Sequence, residues 1–245
     1  MARWKIRVEY NGGPFSGWQR QDDRATVQGE LEAAIFRFSG EEVLVQGAGR
    51  TDAGVHATNQ AAHFDLERDF PALKIREALN AHLRQVPISV LEVEAVEDDF
   101  NARFDALSRA YIYRLLNRRA PPALDKGRVW HVKVPLDVAL MDDAAKVLLG
   151  QHDFSSFRAA ECQAKSPVKT LDRLDVVEED GEIRFHVGAK SFLHHQVRNF
   201  VGSLKLVGEG KWTKADLKSA LEACDRAAGG PTAPAQGLYL TEVNY

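Results

Sequence analysis

Gly47-Ala48-Gly49-Arg50-Thr51-Asp52-Ala53-Gly54-Val55-His56-Ala57 interrupts two segments of strand character, Val43-Leu44-Val45 before it and residues 59–64 after it. Glycines at 47, 49 and 54 permit backbone conformations that set a short loop tightly between two strands. Asp52 projects from that loop with Arg50 two residues away and no flanking acid. On the residues alone two readings stand: a reactive carboxylate held beside a cation, or an Asp that hydrogen-bonds its own turn.

Outward from the loop, Lys5-Ile6-Arg7-Val8-Glu9-Tyr10 alternates strictly and reads as a strand. Thr26 caps a helix whose apolar face is Val27, Leu31, Ala34, Ile35 and Phe38, closed by Gly40. Residues 72–83 read as helix and 88–96 as strand. In the second half, 111–116 reads as a strand and 120–135 as a Pro-rich connection. Residues 137–149 are helical, 171–177 and 183–187 are strands around an acidic turn at Gly181, 194–207 and 214–224 are helical, and 238–243 is a last strand. Neither half shows a regular βα alternation, so the fold class is α+β. The chain divides into halves 1–117 and 118–245, the first carrying the Asp52 loop.

The 245 residues, 44% hydrophobic and 27% charged, suffice for a globular core. No apolar run spans a membrane, and residues 1–5 lead directly into the first strand without a signal-type segment. Together with only two cysteines, Cys162 and Cys224, this points to the cytoplasm and to reduced thiols. The net charge of −3 does not advertise nucleic-acid binding. Its distribution is less bland: Arg184, Lys190, Arg198 and Lys205 share an acid-free stretch, and residues 101–119 hold five arginines against Asp105 alone, although such runs are more often simply solvated faces. Segregated patches of this kind can form an anion-binding surface, with Lys190 and Arg114 as candidate contacts. His56 and His63, and the adjacent His194 and His195, lack metal-ligand spacing with a carboxylate partner.

The loop Gly49-Arg50-Thr51-Asp52-Ala53-Gly54-Val55-His56 resembles the signature of the tRNA pseudouridine synthase A family. Five further blocks resemble that family in order: Tyr10-Asn11-Gly12-Gly13-Pro14-Phe15-Ser16-Gly17-Trp18-Gln19-Arg20-Gln21; Asp99-Phe100-Asn101-Ala102-Arg103-Phe104 with Tyr111-Ile112-Tyr113; His152-Asp153-Phe154-Ser155-Ser156-Phe157; Phe192-Leu193-His194-His195-Gln196-Val197-Arg198-Asn199-Phe200-Val201-Gly202; and Ala233-Pro234-Ala235-Gln236-Gly237-Leu238-Tyr239-Leu240. Two positions depart from the pattern, Asn11 where Asp is more frequent and Gln196 where Met is.

The resemblance implies a mixed, largely antiparallel sheet with helices, in two similar halves around a central cleft. It implies an isomerase that converts uridine to pseudouridine at positions 38, 39 and 40 of the tRNA anticodon stem-loop. No cofactor and no metal would be needed, and the enzyme would be a homodimer. Asp52 would be the nucleophile, a role that suits a carboxylate already ionised at neutral pH and able to leave. Arg198 would pair with it and keep it charged. Arg50 would help extrude the base, and Tyr111 would pack on the uracil and take the C5 proton, with Tyr113 left in the core. Alternatives are the same chemistry on a different RNA, a non-catalytic tRNA-binding module, and an N-glycoside hydrolase that uses Asp52 to release free base.

Overall fold

The computed structural model describes residues 1–245, which form two compact units. The first comprises Met1–Leu107 and Tyr239–Tyr245, the second Ser108–Leu238. The division thus falls ten residues before the one expected at 117/118, and the chain's last strand returns to the N-terminal unit.

Unit one contains β1 (Ala2–Tyr10), α1 (Val27–Ser39), β2 (Gln46–Gly47), β3 (His56–Leu66), α2 (Ala72–His82) and β4 (Ile88–Val96). β1 lies between β4 and β3, antiparallel to both, and β2 pairs with β3 antiparallel. Trp4, Ile6, Val8 and Tyr10 of β1 are buried, as the alternation requires. α1 begins as expected: the Thr26 side chain accepts from Gly29 N–H, and Gly40 closes the helix in the left-handed region. Val27, Leu31, Ala34 and Ile35 are buried, and α1 packs on α2, which packs on β4.

Unit two contains β5 (Ser108–Asn117), β6 (Trp130–Val132), α3 (Val138–Ala145), β7 (Gly150–Asp153), β8 (Val168–Glu179), β9 (Glu182–Ala189), α4 (Gln196–Gly208) and α5 (Lys214–Glu222). The order β5-β9-β8-β7 is antiparallel throughout, and β6 pairs parallel with the end of β5. α3 packs on β8 and on α4. The final strand, β10 (Leu238–Asn244), runs parallel to β3, pairing Tyr239 with His56 and Leu240 with Ala57. The class is therefore α+β with mostly antiparallel pairing. No helix is long and apolar enough to cross a membrane.

Several elements differ from the sequence expectation, among them the unexpected strand β7. Val43–Val45 is not a strand: the Val45 N–H donates to the Glu32 carboxylate instead of to a neighbouring strand, and pairing starts only at Gln46. The Pro-rich connection contains β6. The helix expected over 137–149 is α-helical only to Ala145, and a single tighter turn follows at Lys146–Leu148.

Candidate active site

In unit one the Asp52 loop is clamped by the Gly-rich segment after β1. At the end of β1 the Tyr10 and Thr51 hydroxyls share a buried hydrogen bond of 2.8 Å. Trp18 N–H donates to Thr51 O at 3.0 Å, and Gln60 Nε2 donates to Gly49 O at 2.8 Å. Asp52 itself opens a turn closed by Val55 N–H to its carbonyl at 3.1 Å. The two segments meet backbone to backbone, since a Cβ on Gly12 would stand 1.9 Å from the Val55 carbonyl oxygen. Gly12 N–H donates to His56 Nδ1 at 3.0 Å, which assigns the ring's other nitrogen as the protonated one in the neutral form. That ring stacks on Tyr239, with centroids 4.6 Å apart. The outcome is a half-buried Asp52 and an exposed Arg50 on a loop whose backbone is held at several points.

The segment that does the clamping is itself tied to α1. Gln28 accepts from Gln19 Nε2 and from Arg20 N–H at 2.8 and 2.9 Å, and donates to Glu32 at 2.9 Å. Glu32 accepts in addition from Arg20 Nη1 and from Val45 N–H, both at 3.0 Å. Gln28 and Glu32 are buried, and a buried polar network of this kind is rigid because every unmade bond in it is costly. Sequence reading missed both residues. The available signal was their i, i+4 spacing on the same face as Val27, Leu31 and Ile35, where polar side chains have no reason to be unless they are paired.

In unit two both tyrosines of β5 are buried. Tyr113 is fully buried, donates its hydroxyl to Pro234 O at 2.8 Å, and meets Trp130 and Phe185 edge to face. Burial pushes its phenol well above the ordinary range, against a smaller opposing pull from the Arg198 charge. Tyr113 is thus a core residue, as expected. Tyr111 is 9% exposed and stands edge-on to Phe192 at 5.2 Å.

Arg198 lies in the first turn of α4. Its Nε donates to Ala233 O at 2.8 Å, and Ala233 N–H returns a bond to Arg198 O at 3.0 Å, so the guanidinium plane is set by a reciprocal pair. α4 passes tightly under the same segment: a Cβ on Gly202 would stand 1.6 Å from Pro231 O. The helix starts without a side-chain cap at His195, which has φ 64°, a left-handed conformation unusual for a bulky residue. Gln196 compensates. Its side-chain oxygen accepts from Leu193 N–H at 2.8 Å while its own N–H donates to Leu193 O at 3.1 Å. The amide at this departure from the family pattern therefore has a structural use.

The two basic stretches are less open to an anion than their sequences promise. Arg114 makes a two-pronged pair with Glu182 at 2.6 and 2.8 Å and reaches Asp125 at 3.2 Å. Arg184 pairs with Glu179 and Asp180, and Arg109 is buried with Nη1 on Lys190 O at 2.6 Å. Arg114, expected as an RNA contact, has its charge engaged by acids from elsewhere in the unit. Cys162 and Cys224 are both unbridged.

A carboxylate presented from a braced loop, with an arginine two residues away in sequence, has the chemistry of an acid, a base or a nucleophile. The chain belongs to a particular family with such sites, since the family model described as tRNA pseudouridine synthase matches residues 6–105 and 144–245. Among curated relatives, the tRNA pseudouridine synthase A of Rhodospirillum centenum is 60% identical over 100% of both chains. That of Paramagnetospirillum magneticum is 59% identical over 100% of this chain and 96% of its own. That of Bartonella tribocorum is 55% identical over 100% of both.

Proposed function

We propose that the protein isomerises uridine to pseudouridine at positions 38, 39 and 40 of the tRNA anticodon stem-loop, with Asp52 as the nucleophile. Membership of the tRNA pseudouridine synthase family makes it an isomerase acting on uridine in tRNA. The positions and the residue roles are our reading. The observation that carries it is Asp52, half-buried on a loop whose backbone is fixed on both sides, within the first of the two stretches that the family model matches.

The reaction breaks the C1′–N1 bond and makes a C1′–C5 bond; C5 loses a proton and N1 gains one, so no atom is added or removed. The Asp52 carboxylate can start it by adding to C6, by displacing the base at C1′, or by taking a ribose proton to allow elimination. In each case the target must leave the helical stack first. Exposed Arg50 suits extrusion, through contact with the phosphate of the turned-out nucleotide. Tyr111 supplies a ring to replace the lost stacking and a phenol oxygen to accept the C5 proton, and Arg198 favours the ionised state of Asp52. This reading also includes a cytoplasmic homodimer and needs neither metal nor cofactor.

Mapping pseudouridine in tRNA from cells with and without this protein tests the proposal. Loss confined to positions 38–40 is expected. Loss at other tRNA positions, or in another RNA, would overturn the site assignment. Free uracil and abasic product would point instead to a hydrolase.

A further inference from the structure

The segment that precedes β5 holds an aromatic side chain out in solvent on a fixed base. Phe104 is 75% exposed, more than any other phenylalanine of the chain. Its backbone is not loose. Asn101 Oδ1 accepts from Arg103 N–H and Phe104 N–H at 3.0 and 3.2 Å, and Asp105 Oδ2 accepts from Asn101 N–H at 2.7 Å. Beneath the turn, fully buried Ala102 donates to His63 Nδ1 at 3.2 Å and accepts the Tyr245 hydroxyl at 2.8 Å. Arg3 Nη1 holds Phe100 O at 2.9 Å, and Leu107 N–H donates to Asn244 O at 2.8 Å. Lys5 sits 4.9 Å from the Tyr245 ring centre, which packs this base further.

A turn so thoroughly bonded could carry any polar residue at position 104. Instead it displays a flat apolar ring, with the Arg103 guanidinium 5.6 Å from the ring centre. An aromatic face beside an arginine is a chemistry that holds unpaired nucleotides: the ring stacks on the base and the cation serves the neighbouring phosphate. A stable protein partner needs a much larger contact surface, on the order of 800 Å² a side. Here only Leu107 joins Phe104 as an exposed apolar residue of the segment.

We propose that Phe104 and Arg103 form a stacking platform for an unpaired nucleotide of the tRNA substrate, distinct from the uridine that is isomerised. The inference rests on tRNA being the substrate, and it adds a binding position outside the Asp52, Tyr111 and Arg198 set. Phe104 lies seven residues ahead of Tyr111 in sequence.

The test compares wild type with Phe104→Ala, Phe104→Leu and Phe104→Tyr on a tRNA transcript carrying uridine at positions 38–40. Affinity, single-turnover rate at saturating tRNA, melting temperature and sedimentation are measured on each. Ala and Leu should each weaken binding by about tenfold, the scale of one lost base stack, while Tyr binds as wild type does. Saturated rate and melting temperature should stay unchanged in all three. Wild-type affinity in both Ala and Leu would overturn the platform. Weaker binding accompanied by a change of oligomeric state would also overturn it, by making Phe104 a contact between copies of the chain. A wild-type protein that binds tRNA but makes no pseudouridine, with Phe104→Ala still binding weakly, would sink the proposed function and leave the platform standing.

Discussion

Asp52 and Arg198, one in each unit, are presented by opposite means. The Asp52 loop has no regular structure of its own, and its shape comes from outside: Tyr10, Trp18 and Gln60 fix its polar groups, and Gly12 lets a second backbone touch it. Arg198 sits on a helix that would hold a side chain without help, yet that helix begins badly, at an uncapped His195 with positive φ. Both segments nevertheless rest on glycine–carbonyl contacts, Gly12 on Val55 and Gly202 on Pro231. Position along the chain is therefore set by backbone clearance in both, while local rigidity is borrowed in one and intrinsic in the other.

The largest effect expected short of the reactive groups comes from closing those clearances. Gly12→Ala and Gly202→Ala each push a methyl into backbone, which cannot swing aside as a side chain can. Each should lower stability by about 3 kcal/mol, the upper part of the overpacking range, as read by denaturant unfolding. Tolerance of Gly202→Ala alone would show that α4 can slide, and would break the parallel between the two segments.

Tyr111, a proposed site residue, and Tyr113, a core residue, share one strand and sharpen the comparison. Tyr111→Phe should keep its melting temperature but turn over about 10²-fold more slowly, with release of tritium from uridine C5 slowed in step. Tyr113→Phe should lose about 1 kcal/mol of stability with its Pro234 hydrogen bond and keep its rate per folded molecule. Reversed outcomes would exchange their roles.

Gln196→Ala tests how far α4 relies on its substitute cap. The buried bond to Leu193 should be worth about 1 kcal/mol in unfolding experiments, and Gln196→Met should recover only the packing. The smallest effect is in unit one. Burial, followed by the Arg3 charge, holds His63 below its usual value, and its neutral Nδ1 accepts Ala102 N–H. The native state therefore binds this proton less readily than the unfolded chain does. Stability from His63 is complete above about pH 6.5 and declines as pH falls below it. His63→Asn, which retains an acceptor near Nδ1, should flatten that part of the stability–pH curve.

Local pattern made much of this legible. The alternation of residues 5–10 and the Thr26 cap lead directly to β1 and α1, because each depends on neighbours in sequence. Asp52, Arg50, Tyr111 and Arg198 came to notice through motif alone, and both tyrosines of β5 are buried, Tyr113 completely and Tyr111 at 9% exposure. What stayed hidden depends on distant partners. β10 joins unit one because His56 and Ala57 accept it, some 180 residues earlier in the chain. Val45 fails as a strand residue because Glu32 takes its N–H, and the Arg114 charge is engaged by Glu182, far away in sequence. Gln196 looked like a departure, and only the Leu193 bond reveals its use.

The central claim is that the Asp52 carboxylate performs the chemistry while the loop beneath it is a fixed scaffold. Asp52→Asn preserves shape and removes the nucleophile, so the decisive measurement is single-turnover pseudouridine formation by this variant on a tRNA it demonstrably binds. No detectable product, with melting temperature and tRNA affinity close to wild type, is the result expected. Pseudouridine formed at a near-wild-type rate would contradict it and move the reaction to another group.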